Sequence, residues 1–231
     1  MEQSGATPLL QGAVQDAASD VVSALRGGDH VRVSGTGAVD GHGGSLALAA
    51  VRVLGADLLL PHVLFHTPPA PETLTAFQET VEAFPPRTDA APTVKWSHWA
   101  MSCTLRRLDT PLKDAPVEPD ADWLDEASWQ VLTHQLAVLA PLALPGADCA
   151  VARVTRHRPV DVARGFVRAV RRRDWQQAAG AGRWLTLLDG VPDTLGLEAG
   201  LDFVELMGGS DPRVALQVQA ARVMRAAGAL V

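Results

Sequence analysis

Proline and glycine punctuate this chain so regularly that no apolar run reaches the length of a membrane span before Gly, Pro, His or Arg interrupts it. Between the stops, the spacing of apolar residues changes character. Thr7-Pro8 reads as a cap followed by proline at a first helical position, and Leu10, Val14, Ala17, Val21 and Leu25 continue at helical spacing to Gly27-Gly28. His30 to Ser34 reads as a short strand, which enters a turn with five glycines between Gly35 and Gly44. An apolar helix is expected from Ser45 to about Leu54, buried between layers, then a strand from Asp57 to Thr67 broken at Pro61. A helix with Leu74, Phe77, Val81 and Phe84 on one face ends at Pro85-Pro86, and Thr93 to Leu108 alternates as a third strand.

Alternation of helices and strands predicts an α/β part over residues 1–108, with a small, mostly parallel sheet and flanking helices. An acidic, proline-rich connector follows at 109–122, and a mainly helical part packed on the first occupies 123–231. Within that last part Trp129, Leu132, Leu136 and Leu139 mark a helix, Asp148 to Val154 offers a fourth strand, and everything beyond Asp161 reads as helix. Phe166-Val167 recurs as Phe203-Val204, and at the same offset of 37 Asp174 meets Asp211 and Ala178 meets Ala215. Two stacked helical hairpins explain this recurrence, in an arrangement that resembles tetratricopeptide-type pairs; a helical bundle with chance similarity is the alternative.

The glycine-rich turn invites two chemical readings. Val31 to Gly35, then Gly43-Gly44-Ser45-Leu46-Ala47, resembles the nucleophile elbow of α/β-hydrolases, class 3 lipases in particular, over about residues 8–80. Aligned on Gly43-Gly44, the resemblance puts Gly41 where that family carries its serine, which implies a pseudoenzyme that acts by binding. Asp40, His42 and Ser45 remain the candidate catalytic residues, although Ser45 also suits a helix N-cap. Thr36 to Gly43 is also similar to the glycine pattern of short-chain dehydrogenases, which implies a dinucleotide held by Gly35, Thr36, Gly37, Gly41 and Gly43. With no tyrosine in the chain, the tyrosine-dependent reaction of that family is impossible. A tight corner that needs positive φ explains the glycines equally well.

The formal net charge of -6 excludes a protein that coats DNA through its overall field. Charge is unevenly placed, however: Arg153 to Arg173 holds eight arginines and one acid, Asp161. Arg164, Arg168, Arg171, Arg172 and Arg173 are candidates for an anion or nucleic-acid patch. Two plainer uses compete with that one. Cations at a helix C-terminus offset its dipole, and the acidic segment 109–126 can neutralise arginines internally. Few aromatics interleave with the arginines, so a protein partner met by the helical part is favoured over nucleic acid. Two cysteines and no His-Glu-x-x-His or Cys/His spacing predict no metal site, and no cofactor is required. With no basic leader ahead of an apolar stretch, the chain is expected to be a soluble, cytoplasmic protein without membrane contact.

Overall fold

The computed structural model describes residues 3–27, 42–110 and 115–228. Helices cover 75% of the structure, and no strand occurs among the described residues. The expected α/β architecture is therefore overturned, together with the sheet that the hydrolase resemblance implied. In chain order the helices are α1 (Gln3–Gly27), α2 (His42–Leu54), α3 (Leu60–Phe65), α4 (Pro71–Ala83), α5 (Pro92–Arg107) and α6 (Asp122–Asp125). They continue with α7 (Trp129–Val138), α8 (Ala150–Arg156), α9 (Pro159–Arg171), α10 (Trp175–Leu185), α11 (Leu197–Gly208) and α12 (Pro212–Gly228). Short 3-10 turns at Gly55–Leu59, Ala140–Leu142 and Asp193–Leu195 join some of them.

Three expected strands are helices, each for an identifiable reason. In α5, Trp96, Ala100, Met101 and Leu105 are buried, which is a helical repeat; the threonines and tryptophans between them imitate strand composition. Trp96 and Trp99 both lie on this helix. In 57–67 the buried run Leu58-Leu59-Leu60 is continuous rather than alternating, and Pro61 sits at the start of α3, where its missing N–H costs nothing. In 148–154 the N–H of Ala150 at the start of α8 donates to Glu118 Oε1 at 2.5 Å, so a remote carboxylate caps a helix there. The strand expected at His30 to Ser34 lies outside the described residues.

Two compact units divide the chain. The first comprises Met1–Ala90 and Ser97–Val117. Its core takes Val14, Ala18, Val21 and Leu25 from α1 and Phe77 and Val81 from α4. His98 Nε2 donates to the Val81 carbonyl at 3.0 Å and ties α5 to α4. Only one face of α2 is buried, through Ala50, Val51 and Leu54, while Val53 is exposed; it is not the wholly enclosed helix expected. Contrary to the expectation that no apolar stretch reaches the length of a membrane span, the helical run Leu46–Phe65 continues through Gly55 and Pro61. It is long and apolar enough by length and composition, yet 61% of it is buried inside the protein, as in a core helix. Buried His62 closes its end, with Nδ1 donating to the Thr67 carbonyl at 3.1 Å.

The second unit comprises Ala91–Trp96 and Glu118–Val231. Its centre is α10, against which α7, α9, α11 and α12 all pack. Ala178, Ala179, Gly180, Ala181 and Gly182 are all buried, and their small size lets neighbours approach the helix backbone closely. A Cβ added at Gly180 would stand 2.8 Å from Ala137 Cα and 2.9 Å from its carbonyl oxygen. The helices α9 with α10 and α11 with α12 form two successive hairpins. Asp174 accepts from the Gln177 N–H at the start of α10, and Asp211 does the same from Arg213 at the start of α12.

Two measurements check this packing. Gly180→Ala, which presses on backbone and not on a movable side chain, should lower unfolding free energy by about 2–3 kcal/mol in urea titrations. An unchanged midpoint would show that α7 and α10 are farther apart. Burial holds the His62 imidazole below its ordinary pKa of 6.5, outweighing the opposing hydrogen bond to Thr67. The unfolded chain then binds a proton that the folded chain refuses. Stability should be full above pH 6.5 and fall as pH drops toward the folded pKa, with a shallower fall in His62→Gln.

Candidate functional site

The glycine-rich turn does not yield a described site. Gly35, Thr36, Gly37, Asp40 and Gly41 lie outside the described residues. His42, Gly43 and Ser45 fall within the first turn of α2, which begins three residues before the expected Ser45 cap. The strand that an elbow needs ahead of its helix is the one expected at His30 to Ser34, which also lies outside the described residues. No group of three His, Cys, Asp or Glu residues positioned to hold a metal occurs among the described residues either.

The arginine segment resolves into two populations. Upstream, the side chains are engaged within the second unit. Arg153 lies 3.7 Å from Glu118 and 3.3 Å from Asp148, and Arg156 lies 3.4 Å from Asp148. Arg158 is a structural clamp. Its Nε and one terminal nitrogen donate to Asp161 Oδ2 at 2.9 and 2.6 Å, while the other reaches the carbonyls of Leu124 and Ala127 at 3.2 and 2.8 Å. It thereby joins the first turn of α9 to the end of α6, satisfying carbonyls that the short helix leaves open.

Downstream, the pattern reverses. Arg164, Arg168 and Arg171 stand at i, i+4 and i+7 on α9 and line one groove of about 520 Å³. Its remaining lining comes from Trp129 on α7, Val160, Ala163 and Val167 on α9, and Pro192, Thr194 and Leu195 opposite. Arg164 is 3.7 Å from Asp161, a carboxylate already held by Arg158. The Arg168 guanidinium lies over the Trp129 ring, 5.4 Å from its centroid, so its position is set by a cation–π contact and not by an acid. Arg171 makes no ion pair among the described residues. Val160 and Val167 are 45% and 37% exposed, which leaves an apolar stripe beside the cations.

Arg172 and Arg173 are exposed but do not line the groove. They belong to the turn that ends α9, in which the Asp174 N–H bonds the Ala169 carbonyl and the Arg173 N–H bonds the Val170 carbonyl. Arg173 has φ 58, a left-handed conformation in which glycine is usual. The five arginines singled out by charge therefore divide into three on one groove and two beyond its end. Trp129 is legible only as a helix residue, and Val160, Val167, Pro192, Thr194 and Leu195 are not singled out by the sequence. The alternation of Val160, Arg164, Val167, Arg168 and Arg171 along one helical face is the signal that points to them.

No protein-family model matches this chain, and neither a curated protein nor a solved structure matches it.

The division between clamp and groove makes a direct prediction. Arg158→Ala should cost about 2–3 kcal/mol of stability, because it leaves Asp161 with only the more distant Arg164 and the part-buried Leu124 and Ala127 carbonyls without that donor, and Arg158→Lys should recover only a part. Arg171→Ala should leave the thermal midpoint within about a degree of the parent, consistent with a surface change. Equal effects would erase the distinction.

Proposed function

We propose that this protein is a non-catalytic binding module that recognises an acidic protein segment in the arginine-lined groove of α9. The observation that carries the proposal is three like charges on one groove with little internal neutralisation: Arg164 is 3.7 Å from an Asp161 already held by Arg158, Arg168 rests on the Trp129 ring, and Arg171 has no ion pair among the described residues. Arg164, Arg168 and Arg171 are spaced at i, i+4 and i+7, so each neighbouring like-charge pair disfavours the helix by about 0.2–0.5 kcal/mol. The helix dipole offsets this only in the last turn, where Arg168 and Arg171 sit, and not at Arg164. An acidic partner removes the repulsion and covers the exposed valines at once. Cys103 and Cys149 form no disulfide, which suits the reducing interior of a cell, and the proposal places the protein in the cytoplasm.

Binding is tested with a fluorescein-labelled peptide rich in glutamate and leucine, by anisotropy at low and at physiological salt. Association should weaken with salt and fall at least tenfold in an Arg164→Glu, Arg168→Glu, Arg171→Glu triple variant. The Arg172→Glu, Arg173→Glu double variant should lose less than threefold. Equal losses in both variants would mean diffuse charge attraction and reject the groove. Labelling of Ser45 by a fluorophosphonate would reject the non-catalytic half of the proposal.

A further inference from the structure

Building on that binding reading, we infer that the groove takes its partner as an amphipathic acidic α-helix lying along α9. Two stripes run side by side on α9. Arg164, Arg168 and Arg171 form the charged one, and Val160, Ala163 and Val167 the apolar one. At a rise of ~1.5 Å per residue, the arginine Cα positions step along the axis by roughly 6 and then 4.5 Å. A second helix with carboxylates at i, i+4 and i+7 reproduces these uneven steps. An extended strand, advancing ~3.3 Å per residue with alternate side chains on one face, offers even steps of roughly 6.6 Å. Helical spacing also sets leucines or valines beside those carboxylates, facing Val160, Val167 and Leu195. This is the arrangement in which an amphipathic helix lays its apolar face into a groove.

Other anionic partners fit less of the surface. A phosphate backbone has no apolar stripe to cover the exposed valines. The aromatic ring in the groove, Trp129, already carries the Arg168 guanidinium on its face and is closed to base stacking there. A bilayer offers no anionic helix to follow the i, i+4, i+7 arginines, whereas Pro192, Thr194 and Leu195 add further lining beside α9 for a folded segment to meet.

The test uses the full chain and four probes. One labelled peptide carries glutamates at i, i+4 and i+7 with leucines beside them; a second has the same composition in scrambled order. A third replaces the glutamates by lysines, and a fourth probe is a DNA oligonucleotide of equal charge. The ordered peptide should bind at least tenfold more tightly than the scramble and gain helical circular dichroism on binding. Val160→Ala combined with Val167→Ala should weaken the ordered peptide several-fold and leave the scramble unchanged. The Arg164→Glu, Arg168→Glu, Arg171→Glu variant should prefer the lysine peptide, a rescue that a merely damaged fold would not show.

Equal binding of ordered and scrambled peptides would overturn the helical partner while leaving the acidic groove in place. Tighter binding of DNA than of the ordered peptide at the same salt would overturn the protein partner. Absence of binding by every acidic probe would overturn the groove itself, and the helical inference with it.

Discussion

Everything in the second unit depends on how closely other helices approach α10. Five consecutive small residues, Ala178 to Gly182, allow Ala137 of α7 to come within van der Waals reach of the Gly180 backbone. The next two residues fix what small ones cannot. Trp184 Nε1 donates to the Leu136 carbonyl at 2.8 Å, closing the end of α7 onto α10 inside the core. Arg183, fully buried, reaches the Ala143 carbonyl at 3.1 Å and Gln217 on α12 at 2.9 Å. Small residues supply proximity; the large polar ones supply register. Burying a guanidinium is costly, so its hydrogen bonds specify one packing by penalising every alternative that breaks them.

That centre determines where the groove arginines are. Helix α9 also approaches α7 through a glycine: a Cβ at Gly165 would run into the Thr133 side chain, which is buried. With Gly165, Phe166 and Ala169 turned inward, the positions left facing out include Arg164, Arg168 and Arg171. The same packing brings Trp129, at the start of α7, under Arg168. The cationic face is therefore a consequence of helix register, and the long guanidinium side chains are held by a rigid support rather than by a loop. Arg158, bonded to Asp161 at the first turn of α9, anchors the other end.

Parts of this were legible from residue order alone. Val14, Val21 and Leu25 keep strict helical spacing on α1, and all three are buried. Asp174 and Asp211, 37 residues apart, were readable as equivalent positions because capping is a local interaction. The supposed sheet was not legible correctly, since Thr93, Val94, Trp96 and Trp99 favour strands by composition and only tertiary burial reveals the period of 96, 100, 101 and 105. The site was legible in charge and illegible in shape. Eight arginines stand out by count, but separating Arg158 from Arg168 requires knowing that Asp161, Leu124 and Ala127 converge on one and Trp129 on the other. Nor does local order reveal that Pro192 and Leu195 line the same groove as α9, because the two segments lie some 30 residues apart.

Native-state hydrogen exchange on the full chain tests most directly the claim that α10 is the fixed centre from which the groove is built. Amides of residues 179–184 should exchange only through global unfolding, with the same free energy as denaturant titration, and those of α9 facing α10 should approach that limit. Exchange of the α10 amides through smaller local openings, faster than those of α12, would contradict the account, because the groove would then rest on a helix that opens independently of the core.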